Sequence, residues 1–183
     1  MNKFFRAAYC VPCGALKMAV LKLTYKKNFK GPWISLISPL TEVTLDKGGK
    51  LFIGEKFRMR DGAKIRVRKD ATCRIGENTS INCNNMIACH KSITIGNDVM
   101  FSPNVQIYDH DHDFRVAEGV KAGKYKTEPI IIGNNVWIGA NTIILRGTVI
   151  GDNTVIAAGC VIKGVIPPNS KVYQKRELKI QEV

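Results

Sequence analysis

Histidine is the scarcest ionisable residue in this chain. There are three in 183 residues, and two of them fall in one stretch, VQIYDHDHDFRVAEG, residues 105 to 119. Long apolar runs are lacking too: Lys17 and Lys22 interrupt the most apolar segment well short of the roughly 20 residues that span a bilayer, so a membrane-crossing helix is not expected there. The six cysteines (Cys10, Cys13, Cys73, Cys83, Cys89, Cys160) follow no regular framework, and no cleavable signal sequence is recognised. This argues against a small disulfide-stapled secreted scaffold and for a reducing, cytoplasmic setting. The single Cys10-x-x-Cys13 has no second pair to complete a tetrahedral zinc site. Aromatics make up 8% of the chain and no nucleic-acid-binding motif accompanies them, so nucleic acid is not expected as a partner. What is present, 183 residues at 45% hydrophobic content, suits one domain with a substantial core.

Acidic residues are missing from the first thirty positions, MNKFFRAAYCVPCGALKMAVLKLTYKKNFK, which carry seven basic ones. The net charge of +13 is regional: residues 1 to 74 hold 17 Lys/Arg against 5 Asp/Glu, and residues 75 to 183 hold 11 against 10. A basic, partly amphipathic segment over residues 1–32, helical in expectation, fits peripheral contact with an anionic leaflet, with Phe4, Phe5, Leu16, Val20 and Leu21 inserted. The alternative is a helix packed on the domain with a solvated basic face.

From residue 132 the chain reads in sixes: IGNNVW, IGANTI, ILRGTV, IGDNTV, IAAGCV, IKGVIP. Isoleucine opens each, at Ile132, Ile138, Ile144, Ile150, Ile156 and Ile162. Four residues on come Val136, Thr142, Thr148, Thr154, Cys160 and Ile166, all β-branched or small. Six is neither the period of an amphipathic helix nor that of strand alternation, so it marks a repeat architecture. The same phase recurs earlier in Ile95/Phe101/Ile107, Ile75/Ile81/Ile87 and Ile53/Met59/Ile65. One such strand cannot bury its aliphatic side chain alone. Stacking eighteen residues later sets Ile150 over Ile132, Ile156 over Ile138 and Ile162 over Ile144, with parallel ladders satisfying the backbone.

These hexads resemble the hexapeptide-repeat superfamily. The resemblance implies an all-β, left-handed parallel β-helix of about five to six triangular coils over residues 33–167, followed by a tail, 168–183. Counting in sixes from Ile95 gives hexads 95–100, 101–106 and 107–112, and the next clean one starts at 132. Residues 113–131 are therefore an extruded loop, and a loop of that length in a compact fold is usually functional.

NVQIYDHDHDF followed by IIIGNNVWIGANTIIL resembles the catalytic region of the maltose, galactoside and polysaccharide O-acetyltransferases. That resemblance implies acetyl-CoA as co-substrate, no metal, a carbohydrate acceptor, and a homotrimer with active sites between subunits. It assigns the catalytic base to His112, five residues after the hexad isoleucine Ile107, and a role at the reaction centre to Asn82. It puts His90, Asp109 and His110 near the acceptor, and Trp137, Ala140, Ala158, Lys163 and Gly164 along coenzyme A. Lys171, Lys175 and Arg176 are candidates for its phosphates. On an extended segment His110 and His112 share one side and the aspartates the other. The expected activity is O-acetylation of a sugar in capsule or cell-surface polysaccharide synthesis, at the inner face of the cytoplasmic membrane. Alternatives on the same scaffold are N-acetylation of an amino-sugar nucleotide and a non-catalytic binding module. A zinc-using carbonic anhydrase family shares the prism, but it gathers three histidines from neighbouring coils and subunits, and only His90 is left over here.

Overall fold

Isoleucine, valine and threonine at every sixth position, with Gly/Asn/Asp between, make strands too short to stand alone and corners that turn readily. The computed structural model describes residues 3–175 and 179–181, with side chains from residue 8 onward. Three parallel sheets wrap one core. The first face runs Phe29–Lys30, Lys50–Ile53, Thr72–Ile75, Ser92–Ile95, Ile130–Ile132, Val149–Ile150 and Val165–Ile166. The second face runs from Leu36–Ile37 to Lys171–Val172 through seven strands, and the third from Glu42–Leu45 to Val161–Ile162 through six. That makes six full coils and part of a seventh, so the solenoid begins before residue 33 and continues past 167.

The ladders have the register read from the hexads. Ile132 pairs with Ile150, Ile138 with Ile156 and Ile144 with Ile162. The earlier trios continue the same columns, as Met59, Ile81, Phe101 and Ile138 do on the second face. Spacing between stacked partners shortens along the chain, from 22 residues (Phe29 to Leu51) to 20 (Ile75 to Ile95), 18 (Ile132 to Ile150) and 16 (Ile150 to Ile166). Each column isoleucine from Ile53 to Ile162 is buried, contributing roughly 1.5–3 kcal/mol relative to exposure, and Ile166 at the end of the first face is half-buried. The second inward position of the hexad is the corner residue. Thr142, Thr148 and Thr154 are fully buried there, and their hydroxyls donate to backbone carbonyls such as those of Ala157 and Ile162. Corner asparagines adopt left-handed φ, as at Asn78, Asn135, Asn153 and Asn169, a conformation asparagine tolerates better than most residues. Side-chain amides bond coil to coil, Asn135 to Asn153 and Asn153 to Asn169, each at 3.0 Å.

Helix α1 (Lys3–Tyr25) lies across the open amino-terminal end of the solenoid. Cys10, Met18 and Leu21 are buried against it, as is Gly14. A Cβ at Gly14 would collide with the carbonyl oxygen of Ser35, so only glycine permits this approach. Lys17 reaches from the helix to donate to the Thr41 carbonyl at 2.6 Å and its hydroxyl at 2.7 Å, and its burial lowers its pKa. Leu21 faces the core, which corrects the expectation that it inserts in a membrane: it sits on the same side of the helix as Met18. Phe4 and Phe5 fall outside the described side chains. Among the described residues no helix is long and apolar enough to cross a membrane.

Candidate active site

The third-face strand of the fourth coil, Gln106–Tyr108, follows the hexad pattern through Ile107. The next inward position is Asp109, fully buried where an aliphatic or a thiol stands in other coils. In the coil before, the amide of Thr72 donates to the Lys91 carbonyl of the coil above. The corresponding Ser92 amide donates instead to Asp109 Oδ2 at 2.9 Å, as the Lys91 amide does at 2.7 Å, while the His90 amide reaches Oδ1 at 2.7 Å. One carboxylate thus satisfies the three amides that the departing chain leaves behind. Burial raises its pKa, but the hydrogen bonds from His110 and the three amides outweigh this and hold it below the ordinary carboxylate value. This corrects two expectations. Hexad 107–112 does not complete the coil, because the chain leaves at Asp109, and His110–His112 pairs antiparallel with Tyr125–Thr127 in a hairpin outside the solenoid. The column resumes at Ile130, so the excursion lies about three residues earlier than 113–131. Asp109, with both oxygens engaged and no exposure, is a buttress and not an acceptor contact.

The hairpin root gathers all three histidines. His90 and His110 stack face to face, centroids 3.5 Å apart and planes at 21°. Tyr125 lies edge-on to both, 4.5 Å from His90 and 5.4 Å from His110, and 4.7 Å from His112. Nδ1 of His110 is 3.4 Å from Asp109 Oδ1, and its side chain is 13% exposed. Burial, and then the neighbouring His110, pull the His90 pKa down to about 4. Stacked rings do not converge their nitrogens on a common point as metal ligands would. His112 is exposed. Across the hairpin, Arg146 Nε donates to Asp111 Oδ2 at 2.6 Å and its Nη1 bonds Glu128 Oε1, clasping both strands to the fifth coil.

The other candidates stand elsewhere on the same chain. Asn82 sits at the corner between second and third faces, where its Oδ1 accepts the Cys83 amide at 2.9 Å, leaving the amide nitrogen as the end that can donate. Trp137 is 53% exposed on the second face; its Nε1 donates to Ser102 Oγ at 3.1 Å. Ser102 stands one coil above Asn82, so these three residues share an edge. Trp137, Val155 and Lys171 form one outward row. Ala140 and Ala158 follow at that corner, whereas Lys163 and Gly164 lie at the third-to-first corner, two coils above the hairpin. Lys175 is exposed, and Arg176 lies outside the described residues. Sequence reasoning missed Tyr125 and Arg146. Tyr125 carries no repeat phase, and only its place as the one tyrosine of the excursion could have drawn notice. Arg146 reads as an ordinary hexad position.

A family model described as "Bacterial transferase hexapeptide (six repeats)" matches residues 129–164. The chain is 29% identical over 132 residues to a protein of Escherichia coli K12 named for lipopolysaccharide biosynthesis O-acetyl transfer, covering 68% of this chain and 67% of that one. It is 43% identical over 95 residues to the galactoside O-acetyltransferase of Escherichia coli K12, covering 52% of this chain and 46% of the relative. It therefore spans about two thirds of the first relative and under half of the second. Among solved structures, a hexapeptide-repeat containing acetyltransferase of Vibrio cholerae, complexed with acetyl coenzyme A, superposes with a TM-score of 0.58 at 26% identity, over 86% of this chain and 71% of that one. Three stacked isoleucine columns, corner asparagines and these likenesses agree: the chain carries the bacterial transferase hexapeptide repeat on a β-helix like that of the hexapeptide-repeat acetyltransferases.

Proposed function

We propose that this protein transfers the acetyl group of acetyl-CoA to a hydroxyl of a carbohydrate destined for the cell surface, by direct attack in a ternary complex. The observation that carries this reading is an exposed imidazole, His112, at the root of a hairpin braced by Asp109 and Arg146, in a chain resembling O-acetyltransferases.

A sugar hydroxyl is a poor nucleophile at neutral pH. His112 takes its proton as the oxygen attacks the thioester carbonyl, then returns it to the coenzyme thiolate as the C–S bond breaks. Accessibility favours His112 over His110, whose ring is wedged between His90 and Tyr125 with Nδ1 turned toward Asp109. The Asn82 amide supplies a donor to the developing oxyanion. Asn82 and Trp137 stand at a different corner from the histidines, so one chain does not close the site. A homotrimer does, with the hairpin of one copy meeting the Asn82–Trp137 edge of the next and coenzyme A running between. The thioester donor is a cytoplasmic metabolite, which puts the reaction on that side of the membrane.

The test is thiol release from acetyl-CoA across a panel of sugar acceptors, with the product checked for lability in mild alkali, as an ester requires and an amide resists. His112→Ala is expected to lower turnover by about 10²–10⁴-fold with coenzyme binding retained. A silent His112→Ala beside an inactive His110→Ala would move the base by two residues. Absence of thiol release with every acceptor would remove the enzymatic reading.

A further inference from the structure

The helix that closes the amino-terminal end is apolar on two sides. One side, Cys10, Gly14, Met18 and Leu21, is buried on the first coil. The other, Tyr9, Leu16, Val20 and Leu23, recurs at helical spacing on the outward face, and there Leu16 is 68% and Leu23 76% exposed. Trp33 of the first coil is likewise 66% exposed, beside the helix, with Lys22 Nζ 3.5 Å above its ring. An apolar groove of about 500 Å³ opens along the stripe, between Leu16 and Val20 on the helix and Pro39 and Val43 on the first coil. The helix and the segment that follows it carry charge of one sign, from Lys17, Lys22, Lys26, Lys27 and Lys30, with no acidic residue in residues 1–30, and the one carboxylate lining the groove, Glu42, is paired with Arg66.

We propose that this outward stripe, with Trp33, docks the protein on an anionic lipid surface, α1 lying in the plane of the interface. The charge chooses the occupant. Two such surfaces apposed in a dimer would set lysines against lysines, whereas an anionic leaflet offers apolar depth for Leu16, Val20 and Leu23 and phosphate charge for the flanking lysines. An indole at the rim is also the side chain most at home between headgroups and hydrocarbon. The stripe differs from the one the sequence suggested: Leu23, Tyr9 and Trp33 belong to it and Leu21 does not.

The proposal stands independently of the acetyl-transfer reading. Full-length protein is sedimented with phosphatidylcholine vesicles with and without phosphatidylglycerol, at physiological salt and at 1 M, where the screening length falls from about 8 Å to about 3 Å. Binding is expected to the anionic vesicles, weaker in high salt. It should fall about tenfold or more in Leu16→Glu/Leu23→Glu and in Lys26→Glu/Lys27→Glu, with thermal unfolding unchanged. Both lysines are exposed, so that variant tests the idea even if the leucine variant folds poorly. Failure of the wild type to bind anionic vesicles, or equal binding by the lysine variant, would overturn it. So would a Leu16→Glu/Leu23→Glu protein that binds as before but changes its size by light scattering, since the stripe would then be a contact between copies.

Discussion

A single carboxylate decides where this chain stops being a column. Asp109 occupies a position that in neighbouring coils holds an aliphatic or a thiol, and it is tolerable there because three amides and an imidazole surround it; a buried charge without such partners would cost several kcal/mol. The same packing makes His90 a neutral ring. Unfolded, its imidazole takes a proton near the ordinary value of about 6.5; folded, only at about 4. Between those values the unfolded chain binds more protons than the native one. The stability that His90 contributes is therefore complete above about pH 6.5 and is lost as pH falls to about 4. We expect urea midpoints measured from pH 7 to pH 4 to fall less steeply in His90→Asn than in the wild type; parallel slopes would show that this ring titrates normally. None of this was legible in the sequence. Asp109 could be seen beside two histidines, but whether its side chain pointed inward depended on where the strand ended, and a run of alternating Asp and His does not say.

The hairpin is an element without a core of its own. His110–His112 and Tyr125–Thr127 form a two-stranded ribbon, a structure only marginally stable alone in water, and it is held by the aromatic cluster on one side and by Arg146 on the other. Arg146 is 16% exposed and spans Asp111 and Glu128, one anion on the first strand and one just past the end of the second. Arg146→Met should leave the melting of the solenoid within about 1 kcal/mol of the wild type while making residues 113–124 cut several-fold faster by trypsin. Unchanged cleavage rates would mean that the rings alone hold the ribbon. The excursion's length was readable from the repeat, since Ile95 and Ile132 are 37 residues apart where the following stacked pair is 18. Its pairing was not, because Lys126 and Tyr125 obey no hexad.

For the molecule as a whole, stacking makes stability a matter of neighbours. Ile138 is covered on both sides of its column, by Phe101 and Ile156, while Ile162 has Ile144 alone. Truncation at an enclosed core position costs about 2–5 kcal/mol, so Ile138→Ala should lie in that range and Ile162→Ala well below it in urea denaturation; equal losses would argue against nearest-neighbour stacking. The coils from Ile132 to Ile162 were legible because their spacing is a regular eighteen residues and isoleucine opens every hexad. The first coil was legible only in part: its opening strand, Phe29–Lys30, precedes the expected start at residue 33, its residues Phe29, Ile37 and Val43 stack on partners 22 residues away, and its corners lack the asparagines that mark later ones. The charge asymmetry was visible from composition, but which apolar side chains α1 turns outward depended on Gly14, whose missing side chain sets the helix's rotation against Ser35.

The buttress at Asp109 has a final consequence. Because one side chain heals the break in the ladder, the column above and below is indifferent to what is spliced in between. A change in length or sequence beyond the hairpin root leaves these three amide bonds in place, so it falls on the ribbon and not on the ladder.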